Sequence, residues 1–488
     1  MSQIKQKVVV GLGKTGLSCA RFLLQQGVSV AVTDNRIHPP GLDRLLMDYP
    51  GVTVCVGKFD GDLMAGAEEL VVSPGVSLKE DAVKKAVDSG VPAIGDIELF
   101  CRHLQKNANS GRIIAITGSN AKSTVTTLVG DMIRQAGYSV IVAGNIGLPV
   151  MDVLLSDTLL KGELLKGESL KNKSLQDKDV DFYVLELSSF QLETTHTLNA
   201  SVATILNVSP DHLDRYEGIA DYITAKQRIY NACDVAVVNA ADQQTYPVAA
   251  SGTIAPRELV TFSSKSLLQA SSRQQADPSV YQCRRVNAGD GIYRGDVLVI
   301  AVNDMALTGG HNVENALAAL TIGNAIGLPD ESMANTLRTF SGLTHRCQVI
   351  GKFDGVTWIN DSKGTNTGAT IAALNGLGAC YQAGIVLIAG GVGKGADFSE
   401  LKSAVTQYVT ACVLIGDDAP LIEVALGTAC EIYHAETLGS AVIKSRELAK
   451  SGGAVLLSPA CASFDMFAGF EDRGNQFISA VEGGLACG

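Results

Sequence analysis

Two rhythms of apolar and polar positions alternate along this chain. Short apolar runs, each closed by Gly, Pro, Ser or Asp, are followed by stretches whose apolar residues recur at helical spacing. The opening "KVVVGLGKTGLSCARFLLQQGVSVAVTD" predicts a strand, a glycine-rich turn, an amphipathic helix and a second strand ending at Asp34. "VTVCVG", "ELVVSPGV" and "VPAIGD" extend the series into a small parallel sheet ending near residue 100. A second series starts at Arg112 with "RIIAIT" and runs through "TVTTLVGDM", "YSVIVAGNIGLP", "DFYVLELSSF" and "ASVATILNVSPDHLD". Hairpin strands are predicted around "GIYRGDVLVIAV" and a helix at "HNVENALAALTIGNAIG". A third series follows "SGLTHRCQVIG", through "GVTWINDSKGTN", "GIVLIAGGVGKGAD", "ACVLIGD" and "GAVLLSPACASF". Strand alternating with helix throughout predicts an α/β fold in three units, at residues 1–100, 101–342 and 343–488.

Two stretches break the rhythm. Residues 156–179 are rich in Lys, Leu and Glu with a near-repeat of "LLKGE", and residues 263–279 are rich in Ser and Gln. Both read as solvated surface insertions. A hydrophobic fraction of 46% with 18% charged residues over 488 residues suits a packed globular chain of several domains. Most of the 51 glycines fall at strand-to-helix junctions. No apolar run is long enough to span a bilayer, and "MSQIKQKVVVGLG" enters a strand at once, so neither membrane insertion nor a signal peptide is expected. A net charge of −11 without a Lys/Arg block speaks against nucleic acid as a partner. Eleven cysteines with no C-x-x-C pair fit reduced thiols, which makes the cytoplasm the expected compartment.

Four constellations could carry chemistry. Gly11, Gly13 and Gly16 followed by Asp34 have the spacing of a dinucleotide fingerprint, open to a nucleotide, to NAD, or to a tight structural turn. "TGSNAKST" has the shape of a phosphate loop: backbone N–H groups from Gly118, Ser119, Asn120, Ala121 and Thr124 would cradle phosphates, Lys122 would reach the β/γ-phosphates and Ser123 could ligate Mg²⁺. Ala121 stands where such loops usually carry glycine, so a structural turn remains the alternative. Glu186 and His212 each follow an apolar run beside that loop, an arrangement suited to metal ligation or to a structural role. Asp361, Lys363, Thr365, Lys394 and Ser463 repeat the placement in the third unit, either as caps and turns or as one edge of a shared cleft.

Taken in order, "GLGKTG", "TGSNAKST", "GNIG", "LELSSFQLE", "DHLDRY", "AKQRIY", "HNVENALAA", "INDSKGTN", "GGVGKGADFSEL" and "LLSPACASFDMFAGFEDRGNQF" resemble the Mur ligases from end to end, the last string favouring members that add D-glutamate. The resemblance implies an N-terminal Rossmann-like domain for a UDP-sugar, a central phosphate-loop domain for ATP and Mg²⁺, and a C-terminal Rossmann-like domain for an amino acid. It implies a cytoplasmic, monomeric ligase of peptidoglycan synthesis that adds D-glutamate to UDP-N-acetylmuramoyl-L-alanine through an acyl phosphate. By that resemblance Lys122 holds the transferring phosphates, Ser123 and Glu186 a first Mg²⁺, and His212 a second, supported by Lys226 as a carbamate. Asn312 and Asn315 match adenine-side contacts, Arg346 a phosphate contact and Asp361 a ribose contact. Thr15, Asp34, Asn35, Arg36, Gly75 and Asn145 match the UDP-substrate site, and Lys363, Thr365, Lys394, Ser463 and Phe470 the amino-acid site. The rival readings are a sibling ligase with another amino acid, an NAD-dependent dehydrogenase built on the glycine turn, and a nucleotide sensor without catalysis. If Ala121 must adopt a left-handed backbone, it costs about 1–2 kcal/mol, which a large domain tolerates.

Overall fold

The computed structural model describes residues 6–106, 111–155, 180–212, 215–249, 253–262, 280–286, 289–307 and 309–483. The two polar stretches at 156–179 and 263–279 lie outside the described residues. The first sheet comprises β1 (Lys7–Val10), β2 (Val30–Asp34), β3 (Thr53–Val56), β4 (Glu69–Val72) and β5 (Ala93–Ile94), all parallel in the order β3-β2-β1-β4-β5. The second comprises β6 (Arg112–Thr117), β7 (Val140–Gly144), β8 (Phe182–Glu186), β9 (Val202–Ile205), β10 (Val235–Asn239) and β11 (Glu258–Phe262), again all parallel, in the order β11-β10-β9-β6-β8-β7. A small antiparallel sheet follows, β12 (Tyr281–Val286), β13 (Gly289–Arg294) and β14 (Val297–Ala301).

The third large sheet comprises β15 (Gln348–Phe353), β16 (Val356–Asn360), β17 (Ile385–Gly390), β18 (Val409–Ile415), β19 (Glu431–His434) and β20 (Ala454–Leu457), in the order β15-β16-β20-β17-β18-β19. It is parallel except for β15, which forms a hairpin with β16. The sequence rhythm did not predict that edge: "QVIGKF" alternates weakly and is only half-buried, as an outer strand with one neighbour can be.

Burial explains why the strands read as continuous apolar runs. On β6, Ile113 and Ala115 point into one core cluster while Ile114 and Ile116 point into another, so both faces are covered. The first of these clusters also takes in Val9, Val32 and Val71 of the first sheet. Helix Lys14–Gln25, helix Asp96–Lys106 and helix Val150–Leu155 bridge the two sheets within it. Helix Asp96–Lys106 follows the last strand of the first sheet and spans residue 100. The C-terminal unit packs two clusters of its own, drawn from residues beyond 346. In all three parallel sheets the strands end in turns that converge on one cleft, as expected for ligand sites in open α/β sheets.

Candidate active site

The turn after β6 is the centre of the cleft. Thr117 anchors its start by donating its hydroxyl to the Leu187 carbonyl at 2.6 Å. Asn207 fixes the middle through its side-chain oxygen, which accepts from the Asn120 amide at 2.8 Å, and Ser119 donates to the Ser209 carbonyl at 2.9 Å. Ala121 then caps helix Lys122–Gln135 with φ +65° and ψ −5°, a left-handed backbone. The condition under which alanine is strained is therefore met, and the turn still delivers Lys122 and Ser123 to a helix N-terminus, where the helix dipole favours an anion. Lys122 Nζ folds back to donate to the carbonyls of Gly118 and Ser119, at 2.8 Å each. Burial pulls its pKa below the usual lysine range, while Glu186 and Asp211 act in the opposite sense.

Lys226, only 1% exposed, lies against the same loop. Its Nζ donates to the Gly118 carbonyl at 2.9 Å and sits 4.5 Å from the centroid of the Tyr222 ring. Burial, with the neighbouring Lys122 cation second, holds its pKa well below the usual range and so favours the neutral amine. Glu186 ends β8; its Oε1 accepts from Asn145 Nδ2 at 2.8 Å, whereas its buried Oε2 has no hydrogen-bond partner among the described residues. His212 has a left-handed backbone, φ +56°, and its ring meets Phe190 edge-on at 4.8 Å.

Three cavities open from this centre. The largest, about 1320 Å³, lies over the first sheet, and Thr15, Asp34, Asn35, Arg36, Gly75 and Asn145 all line it. Within it Asp34 accepts from the Leu12 amide at 2.6 Å and from Arg36 through backbone and guanidinium. Burial pushes the Asp34 carboxyl up, but these bonds outweigh it and hold the pKa below the usual value. Both Asp34 oxygens are thus engaged within the protein, which leaves them poorly disposed to take both hydroxyls of a cofactor ribose. The second cavity, about 570 Å³, is lined by Asn120, Ala121, Thr124, Asn312, Asn315 and Asp361. Asp361 is buried, accepts from Ser458 Oγ at 2.7 Å and from the Cys347 amide at 3.2 Å, and burial pushes its pKa up to about 6. The third, about 490 Å³, gathers Lys122, Glu186, His212 and Lys226 on one wall and Thr365, Lys394, Ser463 and Phe470 on the other.

Arg346 and Lys363 line all three cavities. Arg346 donates to Ser123 Oγ at 2.7 Å across the gap between the C-terminal and central units. Lys363 Nζ lies 3.7 Å from the Phe470 ring centroid, and burial, with Arg346 second, lowers its pKa to about 8. Two groups not singled out from sequence complete the seam. Asp211 takes Lys394 Nζ at 2.9 Å on one oxygen and Asn366 Nδ2 at 3.2 Å on the other. Asn366 also reaches the Asn120 side chain at 3.4 Å. Asp211 sits beside His212 in "DHLD", but one acid next to a histidine carries no signal until Lys394 folds onto it.

Whether the site fits Mg²⁺ can be read from Glu186. Among the described residues no three acidic, His or Cys side chains form a self-sufficient metal cluster. Mg²⁺ is usually held by one or two protein oxygens with phosphates and water completing its shell. Glu186 lines a cavity shared with His212 and the phosphate loop, and its Oε2 has no hydrogen-bond partner among the described residues, which meets that requirement.

Fold and site together are those of an α/β enzyme whose phosphate-loop-like turn faces a large cavity and a cationic seam. Family models agree in order: the MurD-like Mur ligase N-terminal domain matches residues 5–95, the Mur ligase middle domain 116–323, and the Mur ligase glutamate ligase domain 345–461. The chain belongs to the Mur ligase family. It is 45% identical over 480 residues to the UDP-N-acetylmuramoylalanine-D-glutamate ligase of Pseudomonas putida, covering 98% of each chain. It is 44% identical over 482 residues to the enzyme of the same name from Coxiella burnetii, covering 99% of this chain and all of that one. Among solved structures, the Thermotoga maritima UDP-N-acetylmuramate-alanine ligase MurC superposes with a TM-score of 0.58 at 17% identity, covering 98% of this chain and 99% of that one. MurF from Acinetobacter baumannii gives 0.56 at 18%, covering 85% and 92%. At such identities these two structures speak for the fold alone. Among the described residues no helix is long and apolar enough to cross a membrane, and all ten cysteines are free.

Proposed function

We propose that this chain is an ATP-dependent ligase that joins D-glutamate to the L-alanine carboxylate of UDP-N-acetylmuramoyl-L-alanine, releasing ADP and phosphate, as a cytoplasmic monomer in peptidoglycan precursor synthesis. The observation that carries this reading is the meeting of three cavities at Arg346 and Lys363, beside Lys122. A nucleotide-sugar, ATP and an amino acid are three ligands whose reacting ends must meet at one point. The L-alanine carboxylate attacks the γ-phosphorus and ADP leaves, giving an acyl phosphate. The D-glutamate amine then attacks the acyl carbon, phosphate departs, and the nitrogen sheds its proton to water. The order follows from chemistry, since a carboxylate is a poor electrophile until one oxygen belongs to a leaving phosphate.

In this scheme Asn312 and Asn315 hold the adenine side of ATP, Asp361 its ribose, and the loop from Gly118 to Thr124, with Lys122 and Arg346, its phosphates. Thr15, Asp34, Asn35, Arg36, Gly75 and Asn145 hold the UDP-substrate. Lys363, Lys394, Thr365 and Ser463 offer two cations and two hydroxyls to a dicarboxylate, with Phe470 as an apolar wall. Ser123 and Glu186 would hold one Mg²⁺, and His212 with a carbamylated Lys226 a second, and ions held there would supply positive charge to offset that of the phosphate oxygens. The low pKa of Lys226 supports carbamylation, because the neutral amine is the form that adds CO₂.

The test is phosphate release from ATP with UDP-N-acetylmuramoyl-L-alanine and either isomer of glutamate. Release that requires both the nucleotide substrate and the D-isomer is expected. Release driven equally by L-alanine or L-lysine would assign the chain to a sibling ligase.

A further inference from the structure

Arg215 has no part in the assignments above and is not among the residues lining the three cavities, yet its guanidinium holds a turn that lines two of them. One nitrogen donates to the Pro74 carbonyl at 2.8 Å; the other spans the Val76 carbonyl at 3.4 Å and Glu193 Oε2 at 3.0 Å. Glu193 is held in turn by the Tyr216 hydroxyl, which donates to it at 2.6 Å. The guanidinium carbon lies 3.9 Å from the centroid of the Phe190 ring, and Phe190 is the ring that meets His212 edge-on. The side chain is 13% exposed. Pro74 and Gly75, on the turn after β4, line both the largest cavity and the one containing Glu186 and His212.

We propose that Arg215 is a positioning residue, an inference that rests on the ligase reading above. It ties the 74–76 turn of the N-terminal unit to the His212 loop of the central unit. A substrate lying in the largest cavity must deliver its carboxylate into the third, and Pro74 and Gly75 form the rim between them. Arg215 sets the distance between that rim and the phosphate loop. Only a rigid fork can donate to two carbonyls and a carboxylate while stacking on a ring; a lysine ammonium supplies a point charge without the plane. A misplacement of about 1 Å at the reacting atoms is enough to lower turnover by about 100-fold.

The experiment compares Arg215→Met, which keeps the stem over Phe190 and removes every donor, with Arg215→Lys and Lys79→Ala. Lys79 pairs with Glu217 at 2.8 Å and joins the same two units, but both side chains are exposed and outside the cavities, so the pair contributes little. For Arg215→Met, kcat/KM for UDP-N-acetylmuramoyl-L-alanine should fall at least about 30-fold, with KM for ATP and D-glutamate within about threefold of wild type. Arg215→Lys should recover part of that loss, and Lys79→Ala should leave all three constants within about threefold. A rise in KM shared equally by all three substrates, or an equal effect of Lys79→Ala, would reduce Arg215 to one more domain contact and overturn the proposal. Should Arg215→Met not fold, Arg215→Lys decides alone: a selective loss of at least about fivefold supports the proposal and unchanged constants overturn it. Calorimetric binding of the UDP-substrate without ATP separates the two levels. Wild-type protein that binds none overturns this inference and the ligase reading together. Wild type that binds, with Arg215→Met binding and turning over equally well, overturns this inference alone.

Discussion

At the scale of single residues, the site trades local comfort for position. Ala121, His212 and Lys394 all hold left-handed backbones, at φ +65°, +56° and +54°, and all three line the cavity around Glu186. For Ala121 the trade can be measured. Ala121→Gly removes about 1–2 kcal/mol of strain and adds about 0.5–1 kcal/mol of unfolded-chain entropy. The expected result is a urea midpoint raised by the equivalent of about 1 kcal/mol with the KM for ATP changed by less than about tenfold. A much larger gain in ATP affinity would mean that alanine disables the loop. Lys363 gives a pH test. Its ammonium is the form that can pair with a carboxylate, and with a pKa of about 8 the free protein loses that charge as pH rises past this value. The KM for D-glutamate should therefore climb above pH 8 at saturating ATP; a flat profile to pH 9 would remove Lys363 from the amino-acid pocket. Lys122, Ser123 and Lys363 were visible in the sequence because each lies in the short polar turn just beyond an apolar run. Asp211 and Arg215 were not, since their partners lie 183 and 141 residues away and only folding brings them together.

At the scale of elements, the parallel sheets were legible because both faces are covered, which turns each strand into an unbroken apolar run. The edge strand β15 and the helix Asp96–Lys106 were harder. The helix carries Asp96 and Glu98 fully inside, so its apolar face is interrupted where it matters most. Glu98 earns its burial by capping the next unit. Its Oε2 accepts from the amides of His196 and Thr197 at 2.7 and 2.8 Å, and its Oε1 from Arg102 at 2.8 Å. Burial pushes its pKa up, but these bonds prevail and hold it below the usual value. Stability from such a group is complete above the unfolded carboxyl pKa and is lost as pH falls through the lower folded one. Glu98→Gln must turn an amide NH₂ toward donors, at a cost of about 3 kcal/mol. The variant should unfold at lower urea than wild type at pH 7, with the gap closing in acid. Equal midpoints at pH 7 would show that the cap contributes nothing.

At the scale of the whole molecule, the seams between the three units differ in kind. The first two sheets share one apolar core, a fact the sequence hid because helices from both units supply it. The C-terminal unit keeps its own cores and meets the central unit through Arg346 on Ser123, Lys394 on Asp211 and Asn366 on Asn120 and Asp211. Polar seams open more readily than apolar ones, so the C-terminal unit is the element expected to move. Asp211→Asn leaves Lys394 without its countercharge and should raise the radius of gyration of ligand-free protein in X-ray scattering; an unchanged radius would mean that this ion pair does not hold the seam. The central claim is that a carboxylate is activated by phosphoryl transfer where the cavities meet. Its most direct test uses UDP-N-acetylmuramoyl-L-alanine labelled with ¹⁸O in the alanine carboxylate, incubated with ATP and D-glutamate. The account predicts one ¹⁸O in each phosphate released, and no such phosphate with L-glutamate. Unlabelled phosphate would contradict it, because ATP would then be cleaved without the carboxylate ever becoming an acyl phosphate.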